Sequence, residues 1–368
     1  MKRGLFLADL TTLRVGGPVR AFIEPTTEAE FIEAVRSADE AETPMLVMGG
    51  GSNLLVSDAG FDGVVVRDAR REVSVQDDGL CGGVSVTATA GTSWDDLVVR
   101  AVEEGWVGIE ALSGIPGSTG ATPVQNVGAY GQEVAESIAS VRTWDRHEGR
   151  VRTLALAECG FGYRDSLLKQ SQRGVGADGL TWHPTPRYVV LDVTLHMRFG
   201  TMSAPIAYDG LARELGLATG ERAPLADVRA AVLTLRRAKG MVLDPADPDT
   251  RSAGSFFTNP LLDAVTAEAL PADAPRYSAE GLPGVTKTSA AWLIEHAGFG
   301  RGFALAEGLC QPGDEPVALS SKHTLAITNR DGATAEDILA LARHIRDGVR
   351  EAFGVTLEPE PVFVGLSL

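Results

Sequence analysis

Cysteine is scarce in this sequence and does not cluster. The 368 residues include three cysteines, Cys81, Cys159 and Cys310, none of which forms a C-x-x-C pair. Isolated thiols of this kind are typical of a reducing compartment, and they build neither a disulfide framework nor a zinc site. We therefore expect free thiols, no metal site and a cytoplasmic protein.

Positive charge and long apolar runs are also in short supply. Lys and Arg total 33 against 49 Asp and Glu, and the net charge of −16 argues against nucleic acid or an anionic membrane as a partner. A small anionic ligand could still bind a local basic pocket. No run reaches the roughly 18 apolar residues of a membrane span, and the first residues lack the apolar core of a signal peptide. With 44% hydrophobic residues, the sequence predicts a globular protein of two or three domains.

Two nucleotide-binding fingerprints are absent. Met45 to Met48 predicts a short buried strand that runs directly into Gly49-Gly50-Gly51-Ser52-Asn53. A G-x-G-x-x-G fingerprint would require glycine at Leu54 and a helix afterwards, whereas the following residues indicate a turn and a strand. No G-x-x-x-x-G-K-[ST] or G-x-S-x-G sequence occurs either. These absences disfavour a Rossmann domain, a P-loop NTPase and serine-hydrolase chemistry.

A second glycine-rich stretch runs from Gly114 to Gly131. Glycines and two prolines alternate there with hydroxyl and amide side chains, a composition that carries neither a helical nor a strand repeat. Such a stretch suits a loop whose backbone N–H groups surround a phosphate. An ordinary surface loop is the alternative for this stretch taken alone. Together with Gly49 to Asn53, it could hold one extended diphosphate from two sides.

The remaining patterns mix helices and strands. Thr27 and Glu30 have the spacing of a capping box, and Thr334 and Asp337 cap a long helix that Gly354 ends. Further helices are predicted at Ser93 to Glu104, Pro224 to Ala238 and Ser289 to His296, and strands at Val64 to Val66, Val84 to Ala90, Val141 to Trp144, Tyr188 to Phe199, Phe303 to Leu309 and Thr324 to Thr328. Met241 to Thr250 is rich in proline and aspartate and indicates a linker. The fold class is therefore α+β.

Separated motifs along the chain carry a family resemblance: Thr12 to Gly17, Gly49 to Leu55, Gly114 to Gly131, Tyr163 to Lys169, Lys239, Ala253 to Pro260, Trp292 to Gly298 and Leu357 to Pro361. With them the chain resembles the PCMH-type FAD-binding flavoproteins of the vanillyl-alcohol-oxidase superfamily. Within that group it closely resembles the UDP-N-acetylenolpyruvoylglucosamine reductases of bacterial cell-wall synthesis, in their longer form with a tyrosine-bearing loop. The resemblance implies FAD-binding subdomains at residues 1–66 and 67–240, with the substrate loop near 201–211. A smaller α+β substrate-binding domain then follows at 241–354, and a tail at 355–368 carries the catalytic glutamate.

The resemblance implies FAD and NADPH as cofactors. No histidine precedes His147, so the histidine-linked covalent flavin of some relatives has no candidate residue in the N-terminal region, and we expect non-covalent FAD. The residues implied to bind FAD are Gly49, Gly50, Gly51, Ser52, Asn53, Leu54, Gly114, Ile115, Pro116, Gly117, Ser118, Gly120, Ala121, Gln125, Asn126, Gly128, Ala129 and Tyr130.

The resemblance assigns the chemistry to Arg164, Ser255 and Glu360. Taken alone, Arg164 would be interpreted as part of a surface ion pair and Ser255 as a turn serine. A planar, permanently charged guanidinium suits the carboxylate of an enolpyruvyl ether. A serine can protonate a developing carbanion when a neighbour such as Lys239 or Arg164 stabilises its alkoxide. The implied reaction passes hydride from NADPH through FAD to UDP-N-acetylglucosamine enolpyruvate, with Ser255 as proton donor and Glu360 as catalytic glutamate.

Substrate binding is implied for Tyr163, Tyr208, Lys239, Asn259 and His323. Taken alone, Tyr208 could pack a domain edge, and Lys239 could act with Arg236 and Arg237 as a partner of a helix dipole. His296 is interpreted as a packing residue. We expect a monomer without membrane or nucleic-acid partners. Two alternative functions remain, another FAD-dependent oxidase or dehydrogenase of the superfamily and a non-catalytic nucleotide-binding protein.

Overall fold

The computed structural model describes residues 4–77, 83–172, 182–279, 281–305 and 315–368. The chain forms two compact units. As far as they are described, the first contains residues 4–5, 19–51 and 62–238, and the second contains 6–18, 52–61 and 239–368. Each unit therefore collects separate parts of the chain, whereas the division implied by the resemblance follows chain order and stays a prediction.

The first unit begins with a small sheet and one helix. Its strand order is Val19–Ile23, Phe61–Val66, Met45–Val47, and the last two strands are parallel. Helix Glu28–Glu40 begins at the predicted capping box, because the Thr27 side chain accepts the Glu30 N–H and the Glu30 carboxylate accepts the Thr27 N–H. Phe31 and Val35 are buried, which confirms the predicted apolar face.

A larger antiparallel sheet forms the body of the first unit. Its strand order is Arg150–Ala155, Ile138–Asp145, Tyr188–Phe199, Val84–Thr89, Val73–Asp77, and Trp106–Val107 pairs with the end of the longest strand. Helix Trp94–Glu103 starts at its N-cap Ser93 and packs Trp94 and Leu97 into the same core as this sheet. The unit also contains the helices Leu167–Gln170, Asp209–Glu214 and Leu225–Ala238. Short pieces at Glu110–Leu112, Thr119–Ala121, Val134–Glu136 and Leu156–Cys159 are 3₁₀ helices.

The second unit is built around helix Ala335–Phe353. The helix starts at the predicted capping box of Thr334 and ends at Gly354, which is left-handed as a C-cap glycine should be. Helices Ala264–Ala269 and Ala290–His296 accompany it, with 3₁₀ helices at Leu7–Asp9 and Pro248–Thr250. The strands are Leu54–Val56 parallel to Val362–Val364, the order Leu261–Leu262, Thr286–Lys287, Tyr277–Ser278, and the antiparallel pair Val317–Leu319 and Ile327–Asn329.

One prediction for the second unit was wrong in the part that the structure describes. Residues 303–305 form no strand, and 306–309 lie outside the described residues. The antiparallel partner of Ile327–Asn329 is Val317–Leu319, and Phe303 instead packs its ring edge-on against Phe299. The predicted linker Met241–Thr250 stays a prediction, and the structure adds that Asp249 is buried and that its carboxylate accepts both the N–H and the hydroxyl of Ser321.

Cys159 is buried with a free thiol, and burial raises its pKa to about 11. Cys81 and Cys310 lie outside the described residues. Within the described ranges, no helix has both the length and the hydropathy required to cross a bilayer. The same ranges contain no group of three or more His, Cys, Asp or Glu side chains arranged to hold a metal ion.

Candidate active site

The two glycine-rich stretches lie against each other in the first unit. A Cβ atom added to Gly50 would stand 2.8 Å from the Cα atom of Gly117, and one added to Gly49 would collide with the Ser118 hydroxyl. Only glycine allows backbones to approach this closely. The contact brings together the two stretches that are predicted to form a cradle for the diphosphate of FAD.

Main-chain hydrogen bonds fix the second stretch beside helix Trp94–Glu103. The Trp94 N–H donates to the Gly117 carbonyl at 3.1 Å. The N–H groups of Thr119 and Gly120 donate to the carbonyls of Thr92 and Ala90, at 2.8 and 2.9 Å respectively. Ser118 begins the 3₁₀ helix Thr119–Ala121, and Ile115 and Pro116 lie between the anchored glycines. Further along, Gly128–Ala129 pairs with Gln132–Glu133 as a two-stranded ribbon.

A half-buried ion pair holds the start of this stretch, and the sequence patterns did not reveal it. The Asp95 carboxylate accepts the Gly114 N–H at 2.6 Å and pairs with both terminal nitrogens of Arg229, at 2.7 and 2.9 Å. These contacts hold the pKa of Asp95 below its usual value against the opposing effect of burial. Asp95 and Arg229 are 134 residues apart in the sequence, so no local pattern joins them.

Arg236 was interpreted as a helix-end cation, and the structure gives it a second contact. Its side chain is 8% exposed, and its Nε donates to the Gly114 carbonyl at 3.2 Å. Burial lowers the pKa of Arg236, while the neighbouring Tyr130 and Asp95 act in the opposite direction. A buried cation therefore lies beside two residues of the stretch expected to bind FAD.

Arg164 lies on the Gly114 to Gly131 stretch. Its side chain is 19% exposed, and its guanidinium donates to the Gly128 carbonyl at 2.5 Å and the Asn126 carbonyl at 3.3 Å. The ion pair with Glu133 is longer, at 4.0 Å, and the guanidinium stands 5.3 Å from the centre of the Tyr163 ring. A surface ion pair therefore does not describe Arg164.

Three residues of this region adopt the left-handed backbone conformation that favours glycine. They are Asn126, Tyr130 and Arg164, with φ angles of 43°, 52° and 53°. Such angles persist in non-glycine residues only where the surroundings enforce them, and they concentrate at functional sites. The clustering of three such residues favours this region as a functional site.

Tyr130 contacts the segment that carries Tyr208. Their rings meet edge-to-face with centroids 5.6 Å apart, and Tyr208 itself is 43% exposed. Burial raises the pKa of the Tyr130 hydroxyl. The buried Glu110 carboxylate accepts the Ala204 N–H at 2.9 Å and so anchors the beginning of this segment. Tyr208 is thus supported by Tyr130 of the Gly114 to Gly131 stretch, and its role in substrate binding stays a prediction.

Ser255 and Glu360 lie on neighbouring segments of the second unit. Glu360 N–H donates to the Phe256 carbonyl at 2.9 Å, and Phe257 and Pro359 form an antiparallel bridge. Phe256 and Phe257 are buried, which fixes the backbone on which Ser255 stands. Main-chain pairing therefore brings together the two segments that carry these predicted catalytic residues.

The residues that follow Gly51 also join this tail. Asn53 Nδ2 donates to the Glu360 carbonyl at 3.3 Å, and the Val362 N–H donates to the Asn53 carbonyl at 3.0 Å. Leu54 begins the strand that pairs with Val362–Val364, directly after Ser52 and Asn53. Asn53 and Leu54, at the end of the first glycine-rich stretch, therefore pair with the segment that carries Glu360.

A basic cluster occupies another part of the second unit. Lys239 and Arg301 lie close enough to His323 to affect its titration, and burial together with these two charges lowers the His323 pKa to about 4. Ser320 fixes the turn, because its hydroxyl accepts the N–H groups of Lys322 and His323. This local excess of positive charge is suited to an anionic ligand in an otherwise acidic chain.

Two other residues have structural partners. The Asn259 side-chain oxygen accepts the Ala290 N–H at 3.0 Å, at the start of helix Ala290–His296. His296 stacks on Trp292 with ring centres 3.8 Å apart, in line with a packing role, although it is exposed.

Comparison with known proteins accounts for both units. Residues 19–155 match a family model described as an FAD binding domain, and residues 245–364 match one described as the C-terminal domain of UDP-N-acetylenolpyruvoylglucosamine reductase. The reductase of that name from Cutibacterium acnes is 51% identical, over 98% of this chain and 90% of that protein. The one from Thermobifida fusca is 49% identical, over 100% of this chain and 98% of that protein.

The chain belongs to the UDP-N-acetylenolpyruvoylglucosamine reductase family. The crystal structure of the reductase from Thermus caldophilus superimposes with a TM-score of 0.61 at 26% identity, covering 98% of this chain and 97% of that one. Membership confirms the predicted family and the α+β fold class, and it makes this reductase an FAD-dependent oxidoreductase. The roles of individual site residues and the non-covalent flavin stay predictions.

For this reductase we expect Gly50→Ala to weaken FAD binding about tenfold to hundredfold. The added methyl group would collide with the backbone of Gly117, which cannot move aside as a flexible side chain could. Overpacking of this kind typically costs about 1–3 kcal/mol. The FAD dissociation constant, followed by flavin fluorescence, tests this. The control is Gly300→Ala, where a Cβ meets nothing within 4 Å, and equal FAD affinity in both variants would contradict the cradle.

We also expect the His323 ring to stay neutral down to about pH 4. Because burial is the largest cause, Lys239→Met should raise the pKa only part of the way toward its ordinary value. The control Lys322→Met should leave it unchanged, since the Lys322 ammonium pairs with Asp247. An NMR titration of the imidazole protons in the three proteins measures this, and a wild-type midpoint near the ordinary value would contradict it.

Proposed function

We propose that this chain reduces the enolpyruvyl group of UDP-N-acetylglucosamine enolpyruvate to the lactyl ether, giving UDP-N-acetylmuramate for peptidoglycan synthesis. FAD, when bound, accepts hydride from NADPH and supplies it to the terminal carbon of the enolpyruvyl double bond. A proton on the ether-bearing carbon then completes the saturated product. In this proposal residues 1–240 bind FAD and carry the tyrosine loop, and residues 241–354 with the tail bind substrate.

The position of Arg164 carries the proposal. Its guanidinium is held on the Gly114 to Gly131 stretch by the carbonyls of Asn126 and Gly128, within a region of left-handed residues. A guanidinium fixed beside the FAD-binding stretch is suited to a carboxylate conjugated to the double bond that receives hydride. Binding that carboxylate would stabilise the negative charge that develops on it, the electrostatic part of the barrier.

Ser255 and Glu360 complete the chemistry in this proposal. The Ser255 hydroxyl donates the proton to the ether-bearing carbon, and a cation such as Lys239 or Arg164 is the candidate to stabilise its alkoxide. Glu360 orients the substrate carboxylate end and supports the enolate-like intermediate. Main-chain pairing of the Phe256 and Glu360 segments supports a joint role for these two side chains.

The UDP part of the substrate is assigned to the polar residues predicted for it. Lys239 and His323 bind the phosphates or uridine, with His323 acting as a neutral hydrogen-bonding group near pH 7. Tyr163, Tyr208 and Asn259 contact the remainder. The protein acts in the cytoplasm as a monomer, without a membrane or nucleic-acid partner.

An anaerobic reoxidation experiment tests the proposal. Protein loaded with FAD is bleached by one equivalent of NADPH and then mixed with UDP-N-acetylglucosamine enolpyruvate. The flavin colour should return, and mass spectrometry should find the product heavier by two hydrogen atoms. Reoxidation by oxygen alone would favour an oxidase or dehydrogenase of the superfamily, and a flavin that NADPH cannot bleach would favour a nucleotide-binding protein.

A further inference from the structure

Lys169 is a buried cation in the first unit. Lys169 is 3% exposed, although lysine is among the residue types least often buried. It lies in the four-residue helix Leu167–Gln170, which follows Arg164 directly along the chain. Removing an ammonium group from water is costly, so a position that retains one indicates strong local interactions.

Two hydrogen bonds of Lys169 reach residues of the candidate site. Its ammonium group donates to the Gln125 side-chain oxygen at 2.7 Å and to the Arg164 carbonyl at 2.9 Å. Gln125 belongs to the stretch expected to bind FAD and is itself buried. One ammonium group therefore ties the FAD-binding stretch to the main chain of the residue expected to bind the substrate carboxylate.

The helix that carries Lys169 is fixed to the same stretch. The Ser166 hydroxyl donates to the Val124 carbonyl at 2.7 Å and accepts the Lys169 N–H at 3.1 Å. Both ends of the lysine are thus anchored next to Gln125. Its ammonium group has a defined position and not the freedom of a surface lysine.

Arg164 needs support at its main chain. Its φ angle of 53° is left-handed, which is unfavourable for a residue with a Cβ. Its side chain is held by the Asn126 and Gly128 carbonyls, and its own carbonyl by Lys169. The ammonium group fixes the peptide that aims the guanidinium.

We propose that Lys169 is a positioning residue, which sets the direction of the Arg164 guanidinium through the Arg164 carbonyl and the conformation of the FAD-binding stretch through Gln125. The inference rests on the proposed function, because it presupposes that Arg164 binds the substrate carboxylate. Lys169 does not contact that carboxylate and acts through Arg164.

A comparison of two ligands in the FAD-loaded protein tests this role. UDP-N-acetylglucosamine enolpyruvate carries the carboxylate, and UDP-N-acetylglucosamine lacks it. Lys169→Met should weaken binding of the first about tenfold, the order expected for a misplaced charge-assisted contact, and leave the second within about twofold. Titration calorimetry gives both constants, and fluorescence of released FAD should report weaker cofactor retention.

The matched control is Gln170→Ala, the next residue of the same helix. It is exposed, and its side chain donates to the Asp165 carboxylate, so both ligand affinities should stay at the wild-type values. Should Lys169→Met fail to fold, Lys169→Gln keeps at most one amide donor in place of the ammonium group, and it should weaken binding of the enolpyruvyl sugar by less than about tenfold but still more than it weakens binding of UDP-N-acetylglucosamine.

A double variant distinguishes positioning from general stability. If Lys169 acts through Arg164, its effect on enolpyruvyl-sugar binding should largely disappear in an Arg164→Lys background, because contacting residues in one network are not additive. Equal weakening of both ligands, no weakening of either, or full additivity would overturn the inference. A wild-type flavin that the enolpyruvyl sugar does not reoxidise would instead overturn the proposed function.

Discussion

Ser255→Ala should slow flavin reoxidation by UDP-N-acetylglucosamine enolpyruvate about 10²-fold to 10⁴-fold, the usual contribution of a general acid. Alanine removes the hydroxyl and keeps the backbone, which the buried Phe256 and Phe257 and the pairing with the Glu360 segment hold in place. Reduction of FAD by NADPH does not involve this proton and should change less than about twofold. Stopped-flow absorbance of the two half-reactions separates these effects.

Thr258→Ala is the matched control for Ser255→Ala. It removes a hydroxyl from the same segment, where the Thr258 hydroxyl donates to the Glu358 carbonyl at 3.4 Å. Both half-reactions should stay near wild type in this variant. Equal loss of the two half-reactions in Ser255→Ala would count against a proton donor and favour a structural role.

Arg164→Lys should lower kcat/KM for the enolpyruvyl sugar about tenfold to hundredfold. Hydrogen bonds to charged groups are worth about 1.5–3 kcal/mol, and a lysine lacks the planar fork that reaches two carbonyls and a carboxylate together. Steady-state rates measured at increasing concentrations of the enolpyruvyl sugar should show this loss. The FAD content of the purified variant should stay near that of the wild type.

Arg150→Lys provides the comparison for Arg164→Lys. Arg150 is an exposed partner of Glu148, with 63% of its side chain accessible, and exposed pairs of this kind contribute little. Its kinetics should match the wild type. Wild-type kcat/KM in Arg164→Lys would remove the guanidinium from the proposed mechanism.

Much of the fold could be predicted because its signals are local. The capping boxes at Thr27 and Thr334, helix Trp94–Glu103 and strand Tyr188–Phe199 depend on residues within a few positions of each other, and the structure confirms them. The strand expected from Phe303 is absent at residues 303–305, where the Phe303 ring packs against Phe299, while Val317–Leu319 supplies the pairing edge.

The supports of the candidate site could not be predicted, because each joins distant parts of the chain. The Asp95–Arg229 pair links positions 134 residues apart, the Arg236 contact with Gly114 links positions 122 apart, and the bond from Lys169 to Gln125 spans 44. None of these charged residues has a periodic signature. The family motifs indicated which side chains belong to the site, and the structure adds what holds Arg164.

The parallel pairing of Leu54–Val56 with Val362–Val364 has a consequence for biosynthesis. The partner strand lies about 300 residues downstream, so it leaves the ribosome only after the whole intervening chain has been synthesised. Until then, the strand that follows the first glycine-rich stretch has an unsatisfied edge, and closing so long a loop is slow. A nascent chain therefore cannot complete this part of the second unit until Val362–Val364 has been synthesised.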